Sequence, residues 1–132
     1  MLLTDVDSER INATAGEIRG QGGTAQAMRV DVRNYDEVEK AVELARTAFG
    51  GVDFMLNFCG GAPTRVFQRG EPFAQRDPAL LEWGIDVNLR GPLYFCRAAF
   101  PAMIERKGGV IVNIGSIDGV TGSGAVEYSA AK

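Results

Sequence analysis

Short apolar blocks alternate along the chain with longer segments whose apolar residues recur at helical spacing. Leu2-Leu3-Thr4, running into Asp5, predicts a first strand. Ser8 stands where an N-cap would, ahead of Ile11, Ala15 and Ile18 on one helical face, and Gly20, Gly22 and Gly23 stop that helix. Ala25 to Val30 reads as a second strand ending at Asp31-Val32. Asn34, followed three residues on by Glu37, has the form of a capping box. Val38, Ala41, Val42, Ala45 and Phe49 then draw the apolar stripe of a helix ended by Gly50-Gly51. Phe54-Met55-Leu56 predicts a third strand, leading into Asn57-Phe58-Cys59-Gly60-Gly61. After a polar loop from Ala62 to Asp77, Pro78 takes the favoured first-turn position of a long helical stretch reaching Arg106. Gly109 to Ile114 is nearly all apolar, as expected of a strand covered on both faces. A glycine-rich loop leads on to Tyr128 and another helical start.

This alternation predicts an α/β fold whose parallel sheet is built with right-handed crossovers. Ligands of such sheets bind beyond the carboxyl ends of the strands, which directs attention to Asp5, Asp31, Asn57 to Gly61, and Ser116. Composition narrows the chemistry. At roughly 100–200 residues per domain, the 132 residues make one domain, without repeat or linker. The absence of histidine excludes Ser-His-Asp and Cys-His nucleophile pairs and Cys/His zinc fingers, and no metal site is expected. Cys59 and Cys96 are too few for a disulfide framework and sit among apolar residues, so a reducing cytoplasm is the simplest compartment. A net charge of -3 argues against nucleic acid as a partner. No apolar run approaches the ~20 residues of a membrane span, and the first residues do not form a signal peptide.

Several positions carry candidate chemistry. Tyr128 and Lys132, four apart, share a helical face, and an ammonium beside a phenol favours the phenolate, which can exchange a proton with an alcohol or carbonyl oxygen. Two unrelated surface residues would match the same spacing. Ser116 follows the last strand and should project from its carboxyl edge, although a serine between Gly115 and Gly119 also suits a plain turn. Asn88 lies mid-helix, where asparagine is a poor helix former. Pro92 has no N–H, so the Asn88 carbonyl loses its helical partner. The result is a kink that can hold a water, or simply a kink. Asp5 ends its strand where a carboxylate can grip a ribose diol and repel a 2′-phosphate, yet Asp5 and Asp31 equally suit helix starts. Gly60-Gly61 permits close backbone approach by a ligand, or a turn.

Taken in order, these residues resemble the short-chain dehydrogenases/reductases, over essentially the whole chain and closest in flavour to the 3-oxoacyl-carrier-protein reductase-like members. Leu3-Thr4-Asp5-Val6-Asp7 looks like the family's second strand with its NAD-selecting acid, and Asp31-Val32 like the pair that receives adenine. Asn57-Phe58-Cys59-Gly60 resembles the Asn-Asn-Ala-Gly motif beside the cofactor ribose. Asn88, Ser116, Tyr128 and Lys132 match the family's catalytic tetrad. The resemblance implies a Rossmann-like, doubly wound sheet and hydride exchange between NAD, rather than NADP, and a secondary alcohol or ketone. Tyr128 would pass the proton, Ser116 would bond the reacting oxygen, and Lys132 would favour the phenolate and hold the nicotinamide ribose. Asn88 would anchor a water joining Lys132 to solvent. It implies a homo-oligomer, dimer or tetramer, with Leu93, Phe95, Ala98 and Phe100 available as a subunit surface or as core.

Phe58 stands where the family has its second asparagine, leaving only its backbone to serve the ribose, and Cys59 replaces alanine. The family's first strand, its Gly-x-x-x-Gly-x-Gly turn and the C-terminal part of the sheet have no counterpart in residues 1–132. The chain therefore reads as a partial Rossmann domain, truncated at both ends, with a central sheet position empty and too little phosphate-binding backbone to hold NAD alone. Two expectations follow: an internal part of an NAD-dependent oxidoreductase, or a truncated, inactive module for binding or oligomerisation. Arg65, Arg69 and Arg76, in the Ala62–Asp77 loop, offer cations for an anionic substrate, or a merely solvated loop.

Overall fold

A computed structural model describes residues 1–132. In chain order the elements are β1 (Leu2–Asp5), α1 (Ser8–Gly20), β2 (Gln26–Arg29), α2 (Tyr35–Phe49), β3 (Phe54–Asn57) and α3 (Pro63–Val66). There follow α4 (Pro78–Ile85), α5 (Gly91–Glu105), β4 (Val110–Asn113), α6 (Asp118–Thr121) and α7 (Val126–Ala131). A 3-10 turn, Phe73–Gln75, precedes α4. The strands form two parallel pairs, β1 with β2 and β3 with β4, and no ladder joins the pairs.

Helices wind over both faces of the first pair. Leu2 and Met28 pack on Val30, Val38 and Ala41 together with Tyr94, Phe95 and Ala98, a core supplied by α2 and α5. Successive strand residues point to opposite faces, so Leu3 and Ala27 turn away from that core, and α1 packs against the same two strands. The second pair is covered on one side only. Met55 lies on Ala99 and Met103 of α5. The register sets Phe54 beside Val110 and Leu56 beside Val112, and all four are exposed on the opposite face. The apolar run of β4 thus has one covered face instead of the two expected, because α5 reaches the Met55 side alone.

Local chemistry fixes the joints. Asp7, rather than Ser8, caps α1, its carboxylate accepting the Arg10 N–H at 3.1 Å while Ser8 is already helical. Asn34 caps α2 as expected, accepting from the N–H groups of Asp36 and Glu37. The other half of the expected capping box is redirected: the Glu37 carboxylate accepts the Asp31 N–H at 2.8 Å, tying the end of β2 to the start of α2.

The long helix from Pro78 contains a π-helical turn, Asp86–Arg90, in which the Gly91 N–H reaches back five residues to the Asp86 carbonyl. Pro92, which cannot donate, explains the break. The turn brings Gly91 so close to the segment just beyond β2 that an added Cβ would stand 2.7 Å from Val32 Cγ2.

Candidate functional site

The carboxyl ends of β3 and β4 are joined side chain to side chain. Asn57, buried, donates from Nδ2 to Asn113 Oδ1 at 2.7 Å, across register partners of the two strands. Beyond Asn57 the chain turns through Phe58, which is 66% exposed, to Cys59, Gly60 and Gly61.

Asn88 meets this turn from the π-helical segment. It is 4% exposed, and its side-chain amide bonds both backbone groups of Gly61 and the Gly84 carbonyl. An asparagine inside a helix is usually a poor choice; here its amide satisfies both backbone groups of half-buried Gly61 and the carbonyl of buried Gly84, which no other side chain serves.

Lys132 arrives from the end of α7. Its Nζ lies 5.9 Å from the centre of the Tyr128 ring and donates to the Ile114 carbonyl, just beyond β4, at 2.7 Å. Asn88 and Lys132 meet at Gly60, where an added Cβ would stand 2.8 Å from Asn88 Oδ1 and 3.0 Å from Lys132 Nζ. Glycine leaves the backbone bare at the point where the two polar groups converge. Ser116 is half-buried, and its Oγ accepts the Asp118 N–H at 3.2 Å. It therefore forms the turn that its neighbours suggested, while the hydroxyl hydrogen remains free to donate.

The two acids differ. Asp5 is exposed at the end of β1, one oxygen accepting the Asp7 N–H at 3.0 Å. Asp31 is paired with Arg33, Nη2 to Oδ2 at 2.6 Å, and that hydrogen-bonded guanidinium holds its carboxyl below the usual carboxylate range. Val32 is buried against Gly91. The Cys59 thiol reports the charges gathered here. Burial pushes it up first; Asp5 and then Asp31 push the same way, and Lys132 opposes them.

Sequence reasoning passed over two residues. Asn113 carries no motif of its own. Glu127, beside Tyr128, is buried and ion-paired with Arg76, so Arg76 is no loop cation awaiting an anionic substrate, as its position had suggested. Of the four α5 residues with two possible roles, Leu93 and Phe100 are more than half exposed, whereas Phe95 and Ala98 pack in the core. No helix is long and apolar enough to cross a membrane.

A family model described as short chain dehydrogenase matches residues 1–132. The chain is 32% identical over 136 residues to an uncharacterised oxidoreductase of Staphylococcus aureus (strain USA300), covering 100% of this chain and 54% of that protein. It is 33% identical over 133 residues to 3beta-hydroxysteroid dehydrogenase 2 of Eggerthella lenta, covering 99% and 49%. Its fold matches the crystal structure of a 3-ketoacyl-ACP reductase from Sinorhizobium meliloti 1021 with a TM-score of 0.88 at 29% identity, covering 98% of this chain and 50% of that one. The chain spans about half the length of the curated relatives it matches.

Proposed function

The chain belongs to the short-chain dehydrogenase family of oxidoreductases, and on that premise we propose that it carries the reaction centre of an NAD-dependent alcohol dehydrogenase or carbonyl reductase. The observation that carries the reading is the convergence at Gly60, where Asn88 Oδ1 and Lys132 Nζ face a position too close for any Cβ. A nicotinamide dinucleotide fits this donor set: hydroxyl-binding carboxylate and ammonium groups stand beside a bare stretch of backbone at the strand ends. When bound, it supplies or accepts the hydride.

The chain's own residues do the rest. Tyr128 passes a proton between its phenol oxygen and the substrate oxygen. Ser116, whose Oγ is an acceptor toward Asp118, donates its hydrogen to that same substrate oxygen. The Lys132 ammonium has three donors, of which Ile114 takes one; the others serve the nicotinamide ribose and stabilise charge developing on the Tyr128 oxygen. The Asn88 carbonyl, whose α-helical donor is replaced by Pro92, anchors the water that links Lys132 to solvent. Asn57, the backbone of Phe58, Cys59 and Gly60 line the ribose, and Asp31 and Val32 border the adenine. Asp5, exposed and acidic, grips the second ribose diol and repels a 2′-phosphate, which favours NAD over NADP. The substrate class is a secondary alcohol or ketone, and Leu93 and Phe100 of α5 supply apolar surface for a homo-oligomer.

The test is Tyr128→Phe in the protein as its gene encodes it, with NAD-linked turnover of an alcohol and ketone panel as readout. Loss of about a hundredfold or more in kcat is expected, the scale of a lost proton-transfer group. Unchanged turnover sinks the mechanism, and faster turnover with NADP than with NAD sinks the cofactor assignment.

A further inference from the structure

Arg76 and Glu127 stand 51 positions apart, yet Nη1 and Oε2 meet at 2.6 Å with only 4% and 2% of the two side chains exposed. Burying two charges costs a desolvation that even a well-formed pair scarcely returns, so such a pair is weak evidence for stability and better read as fixing a geometry. That geometry lies at the start of α7, the helix that carries Tyr128. From Nη2, Arg76 also donates to the Gly124 carbonyl at 3.2 Å and the Glu71 carbonyl at 3.3 Å, and its guanidinium lies over the Phe73 ring. One side chain thus joins the loop before α4, the approach to α7 and the first turn of α7.

Helix α7 needs such a hold. Its N-cap, Ala125, supplies no side-chain hydrogen bond, so the start of the helix is fixed by other contacts. Glu127 is held from its other side as well. A Cβ on Gly84 would stand 2.6 Å from Glu127 Cγ and 3.1 Å from Pro63 Cγ, so α4 closes on the Glu127 stem with no room for a methyl group. The Gly84 carbonyl in turn accepts Asn88 Nδ2 at 2.8 Å. Contacts run unbroken from Arg76 through Glu127 and Gly84 to Asn88. Glu127 Oε1 has no partner of its own, so Arg76 alone compensates the carboxylate.

We propose that the Arg76–Glu127 pair is a latch that sets the placement of Tyr128, making both members positioning residues for the proton transfer; this rests on the reading of Tyr128 given above. Neither touches the reacting atoms. The latch acts by fixing where α7 begins and how it is rotated against α4.

The experiment uses the protein as its gene encodes it, with three readouts: steady-state turnover, thermal melting, and the 19F resonance of 3-fluorotyrosine placed at position 128. In Glu127→Gln and Arg76→Met, kcat is expected to fall about a hundredfold, the scale of a small misplacement of a reacting group. KM for NAD should stay within about twofold, since cofactor binding is not what the latch serves. The 19F resonance should move or broaden in both. Parental kcat with an unmoved resonance overturns the latch. If either single variant fails to fold, the double variant Arg76→Met/Glu127→Met decides, because apolar replacement of a buried pair preserves folding. A folded double variant that keeps the kcat deficit supports the latch, and one with parental kcat overturns it. Full turnover in Tyr128→Phe would refute the catalytic reading separately. The resonance at position 128 then judges the latch alone: moved in Glu127→Gln supports it, unmoved overturns it.

Discussion

Asn88 clasps Gly61 as one strand clasps another: its Oδ1 accepts the Gly61 N–H at 2.9 Å, and its Nδ2 donates to the Gly61 carbonyl at 2.9 Å. The π-helical turn thereby fastens itself to the loop that leaves β3. Asn88→Ala removes both bonds and the one to Gly84, stripping two half-buried groups and one buried carbonyl of that partner. A loss of about 2–3 kcal/mol is expected, as for buried groups stripped of hydrogen bonds. Asn88→Asp, which can accept but not donate, should also destabilise by setting a carboxylate against two carbonyls. Urea denaturation measures both; an Asn88→Ala variant as stable as the parent would show that the clasp is dispensable.

The contact between Gly91 and Val32 makes a second prediction. Val32 is buried and β-branched, so it cannot swing away from a methyl group arriving within 2.7 Å of Cγ2. Gly91→Ala should cost about 1–3 kcal/mol through overpacking. In the double variant Gly91→Ala/Val32→Ala the two effects should not add, because the second change removes the obstacle to the first. Additive losses would place the strain elsewhere.

Asp31 and Arg33 predict a dependence on pH. The guanidinium lowers the Asp31 pKa in the folded chain, so the carboxylate form is favoured by folding. Its stabilisation is present above the ordinary aspartate value of about 3.9 and disappears as pH falls through the lower folded value. Arg33 is nearly half exposed, so the pair should contribute no more than about 1 kcal/mol. Arg33→Ala should lose that amount near neutral pH and nothing in strong acid, and an NMR titration should show the Asp31 carboxyl rising. A loss that persists in acid would mean that Arg33 acts by packing instead of charge.

Cys59 offers a probe of the charges around the strand ends. Burial, reinforced by Asp5, keeps its thiol protonated, so alkylation by iodoacetamide at neutral pH should be much slower than for an unfolded cysteine. Asp5→Asn should accelerate the reaction and Lys132→Met should slow it, because the two charges act on the thiolate in opposite directions. Mass spectrometry of the Cys59 peptide gives the rates. If neither substitution matters, these groups do not share an electrostatic environment.

Signals acting within a turn or two were legible in the chain. The spacing of Val38, Ala41 and Val42 marked α2, Asn34 marked its start, and Pro92 marked the break that became the π turn. The alternation of elements predicted parallel strands, and the rule of strand carboxyl ends led to the turn around Gly60, while mid-helix position and helical spacing singled out Asn88 and Lys132. Even locally some choices lay beyond the pattern. Asp7 and Ser8 are both capable caps, and which one serves depends on where the backbone leaves β1. Likewise the Asn34 N–H, which a capping box would offer to Glu37, bonds the Asp31 carbonyl, and Glu37 takes the Asp31 N–H instead.

The sequence by itself determined the order and kind of the strands and long helices, because helical and strand periodicity are set by neighbours in the chain; the short helices α3 and α6, each a single turn, leave no such period. It also placed the titratable groups of the candidate site at the ends of those elements. Only the tertiary structure decided that Arg76 is buried on Glu127, that Asn57 bonds Asn113, and that one face of β3–β4 lies open. Those facts depend on which distant segments the crossovers bring together. A charge 51 residues from its partner leaves no periodic trace that could announce the pair.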